Sequence, residues 1–351
     1  MPVQYLQWLL YLQLLLYCAV LKAGKVPSII VFGDSTVDAG NNDYILTLAK
    51  SNFKPYGRDL DGGKPTGRFC NGRLATDFIS EAFGLPPLVP AYLDPAYNIQ
   101  QFASGVCFAS AATGYDNATA NVLSVIPLWK QLEYFKEYVG KLKSFQGEAK
   151  AQETLINALY VMSLGTNDFI ENYFTLPDGR SSQFTVPEYE DFLLALSEGF
   201  VRDIYQLGAR KLDLTGLPPM GCLPLERVTN RAAPGDCNKE YNKVAREFDM
   251  KLLGLVHKLN AELDGMEIVY GNVYDLLDDV VRNPASYGFE NAVTGCCGTG
   301  LFEVSYICNK KTPITCDDAN RYVFWDALHP TERMNHLISN YLMNTTLYVF
   351  L

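Results

Sequence analysis

The stretch SIIVFGDSTVDAGNN, Ser28 to Asn42, runs an aliphatic segment directly into Gly33-Asp34-Ser35. An aliphatic run bounded by turn residues is typical of a strand buried on both faces. In open α/β sheets, ligands collect where such strands end. Ser35 is therefore predicted to lie at the carboxyl end of this strand, where its hydroxyl could react with a bound ligand. The alternative is that Ser35 is the N-cap of a following helix, the usual role of serine at such a junction.

A serine nucleophile needs a neighbouring general base, and the sequence contains three histidines. His257 falls inside a long amphipathic helical pattern and His336 inside the last helical segment, where packing or surface roles are expected. His329 stands instead in FWDALHPTER, on a loop just before a helix that Pro330 is expected to begin. Loops on a rigid scaffold are where catalytic groups concentrate, so His329 is the candidate base.

Asp326 precedes His329 by three residues, a spacing at which its carboxylate can accept a hydrogen bond from the imidazole Nδ1–H. That bond would fix the tautomer in which Nε2 can take the serine proton, and it would stabilise the imidazolium that follows. Asp326 could alternatively be a helix-capping carboxylate, with His329 an ordinary loop residue. Together with Ser35, the pair predicts nucleophilic acyl transfer.

Acyl transfer also needs hydrogen-bond donors aimed at the developing oxyanion. In SLGTND a second buried strand ends at Gly165 and brings Asn167 to the same carboxyl edge of the sheet as Ser35. The side-chain amide of Asn167 could donate there. Asn167 and Asp168 could equally form an Asx turn or the start of a helix.

Four segments of the chain, in order, resemble the plant-type GDSL esterase/lipases of the SGNH hydrolase superfamily. They are FGDSTVDAGNN, GVCFASAATGYDNAT, SLGTNDF and FWDALHPTER, and their order and spacing cover roughly residues 27 to 347. The resemblance implies that Ser35 is the nucleophile and that Asp326 and His329 complete the triad. It also implies that Asn167 helps form the oxyanion hole.

The sequence departs from the family pattern at one position of the oxyanion hole. The family's second block supplies a glycine whose backbone N–H binds the oxyanion, and Ala112 occupies that position here. A backbone N–H is retained, but it points correctly only if φ and ψ suit a residue with a Cβ. Gly114 is the nearest glycine that could compensate. The resemblance thus implies a hole formed by Ser35, Ala112 and Asn167, with no metal and no organic cofactor.

Strand-like and helical patterns alternate along the chain. Strands are predicted at 28–32, 105–110, 158–165, 210–216 and 266–271, with amphipathic helices between them. This alternation predicts a parallel sheet covered on both faces, a three-layer α/β/α sandwich in one domain. The resemblance implies its flavodoxin-like form. Because no glycine lies two residues beyond Ser35, the tight elbow of α/β-hydrolases is not expected, and a more open site would favour soluble or short-acyl esters.

Residues 1–24 resemble a secretory signal peptide, so the hydrolase domain is expected to span 25–351 and to be secreted and extracellular. The apolar run is too short and too interrupted for a comfortable membrane span, although an uncleaved anchor is the alternative. The sequons at Asn117 and Asn344 predict glycosylation in the secretory pathway.

Removal of Cys18 with the leader leaves eight cysteines, an even number that suits an oxidising compartment. Disulfides that close short loops are favoured, which predicts one short-range disulfide and two disulfides from an adjacent cysteine doublet to two downstream cysteines. These are Cys222 with Cys237, and Cys296 and Cys297 with Cys308 and Cys316. Cys107 lies on an apolar stretch and is expected to be a free buried thiol. Neither a C-x-x-C pair nor a histidine at zinc-ligand spacing is present, so no metal site is predicted.

The chain carries 29 Lys and Arg against 39 Asp and Glu, a net charge of −10 that argues against nucleic acid or an anionic membrane as partner. A small-molecule or lipid ester is the expected substrate, and the sequence indicates no oligomeric state. The leading hypothesis is a secreted esterase that forms an acyl-enzyme on Ser35. The alternatives are an acyltransferase that uses the same triad and a non-catalytic wall or binding protein.

Overall fold

The computed structural model describes residues 26–230, 235–309, 311 and 314–351. The predicted signal peptide and Cys18 lie outside these residues. Within the described part of the chain, no helix is long and apolar enough to cross a membrane.

Five parallel strands form the central sheet. They are β1 (Ile29–Gly33), β2 (Gly105–Cys107), β3 (Leu159–Ser163), β4 (Lys211–Thr215) and β5 (Glu267–Gly271), and their order in the sheet is β2-β1-β3-β4-β5. This is the strand order of the flavodoxin-like doubly wound sheet, with the strand order reversing beside β1. The five predicted strands are all present, and the prediction of a three-layer α/β/α sandwich is confirmed.

The described residues form ten α-helices and one π-helical turn. The helices are α1 (Ala75–Ala82), α2 (Ile99–Phe102), α3 (Asn117–Val122), α4 (Leu128–Gln146), α5 (Glu148–Asn157), α6 (Val186–Gln206), α7 (Pro224–Thr229), α8 (Lys239–Glu262), α9 (Val273–Arg282) and α10 (Glu332–Thr345), and the π-helical turn is Asp168–Tyr173. Helices α4, α6 and α8 pack on one face of the sheet, and α1 and α10 pack on the other.

The position of β1 is fixed by aromatic packing on the α4–α6 face. The ring of Phe32 lies 5.5 Å from that of Phe135 on α4 and 5.0 Å from that of Phe200 on α6, between ring centroids. Burial of an aromatic side chain of this kind stabilises a fold by about 1.5–3 kcal/mol. The carboxyl end of β1 is therefore held rigidly, which matters because Ser35 follows it directly.

Gly33, the last residue of β1, forms hydrogen bonds through both its backbone N–H and its backbone C=O with one side chain on α4. Gln131 on α4 accepts a hydrogen bond from Gly33 N at 3.1 Å and donates one to Gly33 O at 3.0 Å. A Cβ on Gly33, whose φ is +152°, would collide with the carbonyl oxygen of Ser163 on β3. The glycine is needed so that β1 and β3 approach closely at the edge where the site lies.

A second, smaller parallel pair lies outside the main sheet and was not predicted. It consists of β6 (Asn291–Gly295) and β7 (Tyr322–Phe324). Both strands are short, and Asn291-Ala-Val-Thr-Gly lacks the apolar run of a buried strand, so local sequence does not indicate it. Strand β7 leads into the loop that carries His329.

The structure contains three disulfides: Cys222–Cys237, Cys296–Cys316 and Cys297–Cys308. The predicted short-range pair and the bonding of the doublet to its two downstream partners are confirmed. Cys107 is free and buried as predicted, and Cys70 is free and buried as well. Two of the eight cysteines that follow Cys18 are therefore unpaired, although their number is even.

Candidate active site

Ser35 lies in a turn immediately after β1, and the N-cap interpretation is wrong because no helix begins there. Asp34 shapes the turn: its Oδ1 accepts from Thr36 N at 2.9 Å and from Thr36 Oγ1 at 2.8 Å, and its own N–H donates to Ser163 O at 3.1 Å. The Ser35 side chain is only 8% exposed, and its hydroxyl bonds to none of the described residues. The hydroxyl is therefore free to face a substrate.

Asp326 and His329 are in direct contact, as their spacing predicts. His329 Nδ1 lies 2.8 Å from Asp326 Oδ2 and 2.9 Å from Oδ1. Asp326 Oδ1 also accepts from the backbone N–H groups of Leu328 and His329, at 2.9 and 2.8 Å. Both side chains are buried. A carboxylate at Nδ1 leaves Nε2 as the nitrogen that can exchange a proton with a nucleophile.

The helix after this loop begins two residues later than the sequence indicated. Its N-cap is Thr331, whose Oγ1 accepts from Met334 N at 3.3 Å, and α10 starts at Glu332. Pro330 instead forms an isolated bridge with Phe324 on β7. Asp326 therefore caps the loop through backbone N–H groups and does not cap the helix.

Two aromatic residues that sequence reasoning missed complete the surroundings of the pair. Tyr56 donates its hydroxyl hydrogen to Asp326 Oδ2 at 2.7 Å and accepts from Ser305 N at 2.8 Å. Burial, reinforced by the charge of Asp326, raises the pKa of Tyr56 well above its ordinary value, so the hydroxyl remains a donor. The ring of Phe69 packs on His329 at 4.9 Å.

Asn167 stands at the start of the π-helical turn, at the end of the segment that follows β3. Its Nδ2 donates to Thr113 O at 2.9 Å, which uses one of the two amide hydrogens and fixes the plane of the side chain. The second amide hydrogen remains available. Asn167 is 5% exposed, and it lines the same cavity as Ser35.

Ala112 adopts the left-handed backbone conformation, with φ of +64°. This conformation costs a residue with a Cβ about 1–2 kcal/mol. The backbone N–H groups of Ala112 and Ser35 donate to none of the described residues. A Cβ at Gly114, the glycine that could compensate, would collide with the carboxylate of Asp168. Gly114 thus serves close packing, and Ala112 keeps the strained conformation itself.

The polar tail of the first motif holds the segment that leads to Ala112. Asn41 Nδ2 donates to the carbonyls of Cys107 and Ala109 at 2.9 and 2.8 Å. Asp38 Oδ2 accepts from Ala111 N at 3.0 Å. Burial raises the pKa of Asp38 to about 6. The first motif therefore supplies Ser35 and also fixes the second motif against it.

Ser35, Ala112, Asn167 and His329 line one cavity of about 400 Å³ at the carboxyl edge of the sheet. The structure thus brings together the predicted nucleophile, base and oxyanion donors, with Asp326 directly behind His329. Ser35 Oγ and His329 are not hydrogen-bonded to each other within the described structure. Such catalytic bonds are often long before a substrate closes them.

The remaining wall of the cavity is largely apolar. It is formed by aliphatic and aromatic residues from several loops and from α7, namely Leu48, Phe69, Leu123, Leu225, Phe302, Val304, Tyr306, Ile307 and Leu328. Leu48 is 70% exposed and Phe302 49% exposed, so the apolar surface continues to the mouth. One carboxyl, Glu171, also lines the cavity.

The other two histidines lie outside this cavity. His257 is exposed on α8, and His336 is exposed on α10 with its ring 4.6 Å from Phe78. Both sequon asparagines, Asn117 on α3 and Asn344 on α10, are exposed. Among the residues that the structure describes, no three His, Cys, Asp or Glu side chains are grouped so that they could hold a metal ion.

The family model for GDSL-like Lipase/Acylhydrolase matches residues 29–342. One GDSL esterase/lipase of Arabidopsis thaliana is 59% identical over 329 residues, covering 94% of each chain. A second from the same organism is 58% identical over 321 residues, covering 92% of this chain and 91% of the relative. A solved carbohydrate esterase structure has a TM-score of 0.40 at 13% identity, covering 93% of this chain and 71% of that chain.

Proposed function

This chain belongs to the GDSL-like lipase/acylhydrolase family and is a carboxylic ester hydrolase, and we propose that it acts through an acyl-enzyme on Ser35. The observation that supports this mechanism most is the meeting of four residues from distant parts of the chain in one cavity. These are Ser35, Ala112, Asn167 and His329.

In the first step His329 Nε2 takes the proton of Ser35 Oγ as that oxygen attacks the ester carbonyl. Asp326, at 2.8 Å from Nδ1, holds the imidazole in the required tautomer and stabilises the imidazolium. The tetrahedral intermediate collapses, its bond to the alcohol oxygen breaks, and His329 returns the proton to the alcohol. Water, deprotonated by His329, then attacks the acyl-enzyme. The bond between Ser35 Oγ and the acyl group breaks, His329 returns the proton to Oγ, and the acid is released.

The negative charge of each tetrahedral intermediate falls on the former carbonyl oxygen. Three donors support it in this proposal: the Ser35 N–H, the Ala112 N–H and the free hydrogen of the Asn167 amide. Loss of one preorganised donor at this position lowers kcat by about a hundred- to a thousandfold. The fixed amide plane of Asn167 keeps the cost of reorganisation low.

The lining of the cavity favours esters with an uncharged, apolar group. Leu48, Phe302 and Tyr306 carry apolar surface from the cavity to its mouth, where an acyl or aryl group can be removed from water. The open site expected from the sequence stays a prediction, and the apolar surface at the mouth does not restrict the site to soluble or short-acyl esters.

We further propose that the mature protein begins near residue 25, is a single hydrolase domain and is secreted. The leader-like first 24 residues, the two exposed sequon asparagines and the three disulfides support this proposal. Disulfides persist in oxidising compartments and are rare in the cytosol.

The test is turnover of 4-nitrophenyl butyrate by purified wild type and by Ser35→Ala. We expect the variant to fold normally and to fall to background. Ser144→Ala, which removes an exposed hydroxyl on α4, is the matched control and should retain full activity. Substantial turnover by folded Ser35→Ala would refute the nucleophile assignment. Product analysis with an added alcohol separates hydrolysis from acyl transfer by the same site.

A further inference from the structure

The cavity contains one carboxyl group that the mechanism above does not use. Glu171 lies on the π-helical turn, four residues after Asn167, and both side chains line the cavity that holds Ser35. A π-helical turn inserts an extra residue and is frequently found at functional sites. Here it brings a carboxyl group to the same wall as the amide of the proposed oxyanion hole.

The carboxyl group of Glu171 lacks a protein partner. Its Oε2 is buried and forms no hydrogen bond with any described residue. A buried polar group without a hydrogen-bond partner destabilises the folded protein. Ligand cavities are commonly apolar with a few polar groups that orient the ligand. The missing partner is therefore expected to come from what the cavity binds.

The surroundings of Glu171 keep this carboxyl group neutral near pH 7. Burial raises its pKa to about 8, and the nearby carboxylates of Asp34 and Asp168 add to the effect. The other charged or titratable groups on elements around the turn are His329 across the cavity, Asp116 and Arg180, which pair with each other at 2.6 Å, and Glu226, which accepts from Thr229. A neutral carboxylic acid can donate a hydrogen bond, as a carboxylate cannot.

We propose that Glu171 is a specificity-determining residue: as a neutral acid it donates a hydrogen bond to a second oxygen of an otherwise apolar, uncharged ester. The second oxygen belongs to a hydroxyl, ether or additional carbonyl group. No bond is made or broken in this contact. The proposal rests on the proposed function, because it places the substrate by its reaction with Ser35.

A second consequence concerns the ionised form of Glu171. Its carboxylate shares the cavity with the oxyanion donors, so its charge would oppose the negative charge of the tetrahedral intermediate. It would also lose the donor that the substrate needs. Activity is therefore expected to fall as the pH rises through about 8.

The first experiment measures kcat/KM for 4-nitrophenyl pentanoate between pH 6 and pH 9.5, with spontaneous hydrolysis subtracted. Wild type should lose about tenfold of its activity per pH unit above its alkaline pKa. Glu171→Gln, which is isosteric and cannot ionise, should lack this decline. Glu190→Gln is the matched control, because Glu190 is buried and pairs with Lys251 away from the cavity. A decline shared by wild type and Glu171→Gln would overturn the proposal.

The second experiment compares 4-nitrophenyl pentanoate at pH 7 with a series of 4-nitrophenyl esters of similar length that carry one ether or methyl ester oxygen at successive positions. For at least one member, Glu171→Leu should lower the preference for the oxygenated ester by about three- to tenfold, the worth of one hydrogen bond. Glu171→Gln, which can still donate, should retain most of it. Equal preferences in wild type and Glu171→Leu across the series would overturn the proposal.

Labelling by a small fluorophosphonate distinguishes failure of this proposal from failure of the proposed acyl-enzyme mechanism on Ser35. Glu171→Gln should still be labelled at Ser35 at pH 7, because the variant retains both Ser35 and His329. Normal labelling with no change in preference or pH profile would refute the role of Glu171 alone. Absence of labelling at Ser35 in wild type would refute the acyl-enzyme mechanism itself.

Discussion

The hydroxyl of Tyr56 donates a hydrogen bond of 2.7 Å to Oδ2 of Asp326, although the two residues are 270 positions apart in the chain. The same oxygen lies 2.8 Å from His329 Nδ1. Tyr56 therefore holds the carboxylate that orients the proposed base. It reaches Asp326 from the loop before α1, and its ring packs at 6.3 Å from that of Trp325.

We expect Tyr56→Phe to lower kcat by about three- to tenfold with KM little changed, because one hydrogen bond that positions Asp326 is lost. Steady-state kinetics on 4-nitrophenyl butyrate tests this. Tyr138→Phe, which removes a buried hydroxyl bonded to Phe102 O, is the control for a general loss of stability. An equal fall in kcat for both variants would show that Tyr56 is only structural.

Asn167→Ala should lower kcat by about a hundred- to a thousandfold, because the amide supports the intermediate more strongly than the substrate. The KM should change little. Removal of the amide also leaves Thr113 O without its donor, so a thermal melt must accompany the kinetics. A change in KM alone would show that the oxyanion hole lies elsewhere.

Ala112→Gly should keep kcat within about tenfold of wild type, because the backbone N–H is retained. The left-handed φ of +64° costs alanine about 1–2 kcal/mol, whereas the greater freedom of an unfolded glycine offsets about 1 kcal/mol of the gain. We therefore expect an unchanged or slightly higher melting temperature. A folded Ala112→Gly without turnover would be incompatible with a backbone role at this position.

Some parts of the candidate active site can be predicted from the local sequence, and others cannot. Ser35 and Asn167 follow apolar runs that become β1 and β3, and Asp326 and His329 meet because three residues separate them. These features depend on local pattern alone. Tyr56 reaches the site through long loops, whose paths no periodicity indicates.

Two other features escaped prediction for related physical reasons. Glu171 enters the cavity because the turn after Asn167 is π-helical, and the local sequence does not distinguish that turn from the start of an α-helix. The left-handed conformation of Ala112 is imposed by packing of the first motif against the second, since alanine itself disfavours it. Both depend on tertiary contacts.

Stability is expected to fall as the pH rises from about 5 to about 8. Burial raises the pKa of Asp213 and of Asp249 to about 7 and that of Glu171 to about 8. Carboxyl groups of the unfolded chain titrate near pH 4, so the folded state holds protons that the unfolded state has released. The contribution is complete below the unfolded pKa and is lost as pH rises through the folded pKa.

Thermal melts across this pH range test the expectation. Asp213→Asn should flatten the dependence, because its amide keeps an acceptor for Thr215 Oγ1, which bonds Asp213 at 3.2 Å, and cannot ionise. Asp191→Asn, which alters an exposed carboxylate, is the control and should follow wild type. A melting temperature that increases steadily up to pH 8 would contradict this account of the buried carboxyls.

Expression in a plant or insect secretory host should release protein that lacks about the first 24 residues and carries glycans at Asn117 and Asn344. Intact mass before and after endoglycosidase treatment measures both features. Asn117→Gln and Asn344→Gln should each remove one glycan. An intact N-terminus, or unmodified asparagines in secreted protein, would contradict the corresponding part of the proposal.

The central claim is that Ser35 is the acylated nucleophile, and peptide mapping after reaction with a fluorophosphonate tests it most directly. Wild type should carry one phosphonyl group on the peptide that contains Ser35, and His329→Ala should react far more slowly because the hydroxyl loses its base. Ser35→Ala should carry none. A phosphonyl group on another residue, or equal labelling of folded Ser35→Ala, would contradict the mechanism.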